Sequence, residues 1–239
     1  MRISYSFYYT EDLSDLSNGE RLLEILSSYG FVINKAGDCE PIREVFDTSK
    51  LPEMWRGVGM DGLLTCYFLF KGQKEVSFSG MVTWNVNLHP DTRAFNGVSL
   101  WFNIPKSYDV NKLLRLGDDI FKWSGSVYGY ITENSKDQTT ERTGNPHDGL
   151  PGLMWVNYFG PAYITQPDFH TPNDYVSIGH GARIILSETP QDERLADLSF
   201  LDSIKSQIGF EWFWHFPRKY KKRVPVFDKS EITRRGTDA

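Results

Sequence analysis

Histidine is the side chain that most readily moves protons or binds metal near neutral pH, and this chain has five: His89, His147, His170, His180 and His215. None forms HxH or HExxH, and none stands at ligand spacing from a cysteine. His147–Asp148 matches half of a metal-dependent phosphohydrolase signature. Such enzymes carry their remaining His and Asp ligands on helices, whereas this pair lies in a Gly/Pro loop. Asp168, His170 and Asp174 share one loop, and a carboxylate beside an imidazole can make a general base. A hydrolase with a His/Asp site between residues 145 and 180 is therefore one reading. The local sequence supplies it with no nucleophile, and GxSxG, GxGxxG and P-loop patterns are absent. Cys66 sits in an apolar run, as a small buried side chain would. Cys39 lies between Asp38 and Glu40, whose charges would raise a thiol pKa, the wrong direction for a nucleophile. "GHGARI" (179–184) could turn tightly but lacks a following phosphate-binding helix. Ordinary loop hydrogen bonding is the simpler reading of the His/Asp cluster, so no catalytic residue, metal ligand or cofactor is expected.

The elements that would position these groups follow from composition and periodicity. The 239 residues are 40 % hydrophobic, 24 % charged and 15 % aromatic, an ordinary globular balance with an aromatic excess that favours pleated structure. Two cysteines without a CxxC argue against a disulfide framework or a zinc knuckle. No apolar run approaches the ~20 residues of a membrane helix, and "MRISYSFYYTEDLS" alternates like a first strand and not like a signal peptide. A cytoplasmic protein with no membrane association is expected. The net charge of −5 is uneven: from Arg218 onward there are eight Lys/Arg against three Asp/Glu, so the body is markedly acidic and the tail basic. An acidic body repels phosphate and suits a basic protein partner, leaving nucleic acid only the tail "RKYKKR" as a contact. That tail could equally pair with acidic surface on a second copy, as in a homodimer, or stay solvated.

Strand periodicity predicts residues 2–10, 31–35, 63–70, 76–88, 97–104, 126–133, 182–188 and 210–216. Of these, "LLTCYFLF" (63–70) is apolar almost throughout and predicts a central strand buried on both faces. Helical spacing predicts 17–29, 108–123 and 197–208. Residues 36–60 read as an irregular excursion with one helical turn, and 134–148 as a polar loop. Neighbouring strands joined by short turns imply antiparallel pairing. The fold class is thus α+β, a mainly antiparallel sheet with helices packed on one face, and the order admits ferredoxin-like units. One domain over 1–217 is expected, followed by a mobile basic tail over 218–239.

Residues 149–164, "GLPGLMWVNYFGPAYI", stand apart. They fit either a strand or a helical stripe, and both would bury most of the segment. Asn157 is its one strongly polar residue and, if buried, needs partners that fix adjacent backbone. This segment, some 20 residues after "YGYITE", resembles the immunity proteins of bacterial polymorphic toxin systems, specifically the immunity-protein-52 family with its PG-aromatic-W-x-N-aromatic-aromatic-G pattern. The resemblance spans roughly residues 60–190 and is anchored at 126–131 and 150–164. It implies a non-enzymatic antitoxin that binds a cognate toxin domain, with nucleases among the associated toxins. It carries over no catalytic residues. The shared positions here, Pro151, Gly152, Trp155, Asn157, Phe159 and Gly160, are expected to be structural. Contacts with the toxin are expected from exposed acidic and aromatic loops: Asp148, Asp168, His170, Asp174 and Tyr175, or alternatively the acidic loop of Asp38, Glu40 and Glu44.

Overall fold

The computed structural model describes residues 1–37, 40–55, 66–73, 76–84, 95–133, 146, 148–172, 174–215, 217 and 219–227. The chain runs through β1 (Arg2–Tyr9), α1 (Leu16–Ser28), β2 (Lys35–Gly37), α2 (Leu51–Met54), β3 (Cys66–Gln73), β4 (Ser77–Trp84) and β5 (Asn96–Asn103). It continues through α3 (Val110–Ser124), β6 (Tyr128–Glu133), β7 (Val156–Phe159), α4 (Pro161–Ile164), β8 (Val176–Ile178), β9 (Gly181–Ile185) and α5 (Leu198–Ile208). The strands form one sheet in the order β2-β3-β4-β5-β1-β6-β7-β9-β8, and each neighbouring pair is antiparallel. Within it, β1-α1-β4-β5-α3-β6 with strand order β4-β5-β1-β6 is a ferredoxin-like unit. β2 and β3 widen one edge of that unit, and β7, β9 and β8 widen the other.

The alternation of β1 decides which face the helices cover. Ile3, Tyr5, Phe7 and Tyr9 are all buried, and the cross-strand partners of the first three on β5, Phe102, Leu100 and Val98, are buried with them. α1 and α3 lie over this face, as the spacing of Leu22, Ile25 and Leu26 and of Leu113, Leu116, Ile120 and Phe121 requires. Each helix starts at an aspartate: Asp15 accepts from Ser17 N and Asp109 from Asn111 N. α3 stops at Gly125, whose φ of +58° is a conformation glycine adopts without strain. Trp55, just after α2, closes the β3–β4 end of the layer. It stacks on Trp84 with ring centroids 4.6 Å apart and donates its Nε1–H to Leu13 O at 2.8 Å.

The run at 63–70 behaves differently from its composition. β3 lies second from an edge, and β1 occupies the centre of the order. Phe68 and Phe70 are buried while Leu69 between them is only partly so, because β3 has helices on one face alone. The short strand expected at 31–35 forms a few residues later as β2, which Lys35 opens. Residues 63–65 and 85–88 of the expected strands lie outside the described residues.

The last third of the chain builds a layer on the opposite face, at the β6-β7-β9 end. Tyr128 and Phe159 are direct cross-strand partners there, and Tyr163, Phe169 and Trp212 pack around them with centroid separations of 5.1 to 6.4 Å. Of the strand expected at 210–216, residue 216 lies outside the described residues, and the rest is a 3-10 turn, Phe210–Trp212, followed by a parallel bridge from Phe213 to Leu150. Gly209 at φ +116° turns the chain, and aromatic packing of Trp212 against Tyr163 and Phe169 replaces strand pairing.

Candidate functional site

The segment "PGLMWVNYFG" is buried at every residue and contains β7. Its alternation sends side chains into both layers. Tyr158 faces α3, packing on Phe7 at 5.3 Å and Phe121 at 5.1 Å between ring centroids. Phe159 faces the C-terminal aromatic layer. Trp155 is 1 % exposed and donates its Nε1–H to Ser187 O at 3.0 Å, tying the segment to the chain that follows β9. Gly160 is required by contact with backbone: a Cβ there would lie 2.4 Å from Ser126 O. Gly152 has φ +130°, in the region that favours glycine, and its carbonyl accepts from Tyr128 Oη at 3.3 Å.

Asn157 has its expected partners. Its Oδ1 accepts from Met154 N at 2.9 Å and its Nδ2 donates to Met154 O at 2.8 Å, with the residue fully buried. One side chain thus satisfies both backbone polar groups of Met154, itself 1 % exposed. Asn157→Ala leaves both unpaired, and at ~1–3 kcal/mol for each buried orphan the expected loss is about 3 kcal/mol of unfolding free energy. Urea denaturation of the variant against wild type reads this directly. A change below about 0.5 kcal/mol would mean the pair is not holding the segment.

A charged pair that the sequence did not single out joins α3 to β9. Arg183 NH1 donates to Asp118 Oδ2 at 2.5 Å, and both side chains are 13 % exposed. Tyr158 Oη donates to Asp118 Oδ1 at 3.1 Å. Gly117 makes room, since a Cβ there would meet Tyr158 Oη at 2.5 Å. Burial raises the Asp118 carboxyl above the ordinary carboxylate value, and Arg183 and Tyr158 pull the other way without cancelling it. Burial likewise pushes the Tyr158 phenol well up, so it stays a donor. The signal in the sequence is faint: an acid beside Gly117 on a helix whose neighbours Leu116, Ile120 and Phe121 face inward.

The acidic candidates fall into two separate groups. Glu40 and Glu44 are exposed near β2, where Val45 bridges to Lys35; Asp38 lies outside the described residues. Asp168, His170, Asp174 and Tyr175 belong to the loop between α4 and β8, and all are exposed, Tyr175 by 45 %. β2 and β8 are the two edges of a nine-stranded sheet, roughly 38 Å apart at ~4.8 Å per strand, too far to serve one small interface together. Val176 adds an exposed apolar side chain beside Tyr175, 44 % accessible, which composition alone did not mark. Asp148 is half-buried, two residues before the Leu150–Phe213 bridge, on the same side as the α4–β8 loop through Trp212, whose Nε1–H donates to Asp168 O at 3.2 Å.

Asp168 is engaged within the protein: it pairs with Arg223, whose Nε also lies 3.8 Å from Glu211. Arg223 belongs to the segment read from sequence as tail. Residues 219–227 run against the C-terminal layer, with Tyr220 on Phe210 at 5.5 Å and Lys222 over Trp214 at 4.2 Å. Phe227 reaches Phe95 and Tyr163 at 5.0 and 6.1 Å.

The His/Asp loop shows no hydrogen bond joining His170 to Asp168 or Asp174 among the described residues, and His147 and His89 lie outside them. His180 stands in the β8–β9 turn beside a cleft of about 470 Å³ that Glu11, Lys122 and Phe121 also line. Among the described residues no three His, Cys, Asp or Glu side chains gather as a metal site, and no helix is long and apolar enough to cross a membrane.

No protein-family model matches the chain, and no curated protein matches it. The likeness to immunity-protein-52 therefore rests on the motif residues alone. Among solved structures, the Pseudomonas aeruginosa T6SS protein PA0821 is similar at a TM-score of 0.48 and 13 % identity, over 97 % of this chain and 80 % of that one. That likeness is distant and says nothing of what this chain does.

Proposed function

We propose that this chain is an immunity protein that acts in the cytoplasm and neutralises a cognate toxin domain by direct contact. The observation that carries the reading is the pairing of a rigid support with an exposed recognition loop. The fully buried PGLMWVNYFG segment anchors the sheet end from which the α4–β8 loop presents Asp174 and Tyr175, beside Val176 at the start of β8. Tyr175 supplies contact area at low entropic cost, and the exposed carboxylate of Asp174 beside it suits a basic partner. A nuclease toxin, whose active site must attract phosphate, has a surface of the required sign. Of the two acidic groups, the α4–β8 loop is the better candidate because the motif braces it directly, whereas Glu40 and Glu44 lie at the far edge of the sheet.

Co-expression tests the proposal. Cells producing the toxin domain encoded directly upstream of this chain should survive when the chain is present and die when it is absent. Tyr175→Ala combined with Asp174→Lys should abolish protection while leaving the melting temperature within about 2 °C, since both side chains are exposed. Full protection by that double variant would place the contact elsewhere, and no protection by wild type would end the immunity reading.

A further inference from the structure

Among the described residues no helix covers the second face of the sheet over β2-β3-β4-β5-β1, and its chemistry is unlike the rest of this acidic molecule. Strand register places Ser4, Trp101, Ser79, Lys71 and Lys35 in one row across five strands. The adjacent row on the same face reads Arg2, Asn103 and Ser77. Lys35 and Lys71 are direct cross-strand partners, a like-charge pairing that costs stability unless something anionic offsets it. Among the described residues none of Arg2, Lys35 and Lys71 forms an ion pair. A cleft of about 440 Å³ opens here, lined by these three cations with Asn34, Ser79 and Trp101 among others. Trp101 is half-buried, and its indole has no aromatic neighbour among the described residues. Ser4, beside it in the row, is 6 % exposed, and among the described residues its hydroxyl has no hydrogen-bond partner.

We propose that this cleft binds a nucleoside polyphosphate. Lysine and arginine donate charge-assisted hydrogen bonds to phosphate oxygens, and an indole face takes a planar base. The spacing suits a ligand with both parts. Trp101 lies two strands from Lys71 and three from Lys35, roughly 10–14 Å, so a base on the indole directs its phosphates toward the lysine pair. The cleft volume falls within the ~300–1,000 Å³ of small-ligand sites. This site is independent of the toxin contact proposed at the other edge, and either can stand without the other.

Calorimetric titration of the full chain at low salt with ATP, adenosine, tripolyphosphate and a short single-stranded oligoribonucleotide tests the assignment. ATP should bind more tightly than adenosine or tripolyphosphate. Lys71→Gln and Trp101→Leu should each weaken ATP about tenfold, the loss of one charge-assisted bond or one stacked base. Lys35→Gln, Lys71→Gln in combination keeps the test sound if Trp101→Leu fails to fold, because neither lysine is in the core. Absence of ATP binding at millimolar concentration would overturn the proposal, as would affinity unchanged in the lysine variants. Tripolyphosphate binding as tightly as ATP would remove the base contact, and an oligonucleotide that binds without competition from ATP would make the face a nucleic-acid surface instead.

Discussion

Trp155→Ala should lower the free energy of unfolding by about 4 kcal/mol, within the ~3–5 kcal/mol typical of truncating a buried large aromatic. The side chain is 1 % exposed, so its removal leaves a cavity between β7 and the chain after β9. It also strips Ser187 O of the 3.0 Å hydrogen bond from Nε1. Trp155→Phe should recover part of the loss by refilling some of the cavity, without restoring that bond. Urea denaturation separates the two variants. Among the described residues the hydrogen bonds of Trp155 go to Ser187 and Leu186 and to no exposed candidate residue, so the fraction of Trp155→Ala that folds should still bind the toxin domain. Loss of binding with an unchanged melting temperature would place Trp155 in the interface and reverse its assigned role.

Arg183→Ala should cost about 3–4 kcal/mol at pH 7, the usual penalty for leaving one partner of a buried pair uncompensated. Removing the guanidinium leaves Asp118 with the burial that already raises its pKa and without the largest of the interactions that oppose it, while the Tyr158 hydrogen bond and the Lys122 charge remain. The carboxyl in the folded variant is then raised further above its unfolded value. A group raised in the folded state contributes stability below its unfolded pKa and loses it as pH rises through the folded one. The stability difference between variant and wild type should therefore shrink as pH falls from 7 into the carboxylate range. Replacing both partners, Arg183→Met with Asp118→Leu, should cost less at pH 7 than Arg183→Ala alone, because no buried charge is left behind. Equal losses at pH 7 and pH 4.5 would show that Arg183 matters for packing and not for charge.

Periodicity made much of the fold legible. The parity of Ile3, Tyr5, Phe7 and Tyr9, of Phe78, Val82 and Trp84, and of Val98, Leu100 and Phe102 matches one buried face in register. Two strands separated by a helix, twice over, pointed to the ferredoxin-like core. Two apolar stretches misled for physical reasons. At Leu69 composition overstated burial, because a strand near a sheet edge with its neighbours Phe68 and Phe70 turned to the core needs only alternate residues inside. In 210–216 aromatic content suggested a strand, but Trp212 packs on Tyr163 and Phe169 from a 3-10 turn. At the candidate site, Asn157 announced itself as an isolated amide in an apolar run, and Gly160 as a motif position. Asp118–Arg183 and the Arg2, Lys35 and Lys71 cluster are assembled from segments tens of residues apart, so no local pattern could reveal them.

The sharpest test of direct neutralisation is a binding titration between the purified chain and the toxin domain encoded beside it, repeated for Tyr175→Ala and for Glu44→Lys. Tight wild-type binding that weakens at least tenfold in Tyr175→Ala and is unchanged in Glu44→Lys is the result predicted by a contact on the α4–β8 loop. Wild-type protein that shows no binding, or binding lost in Glu44→Lys and retained in Tyr175→Ala, would contradict it.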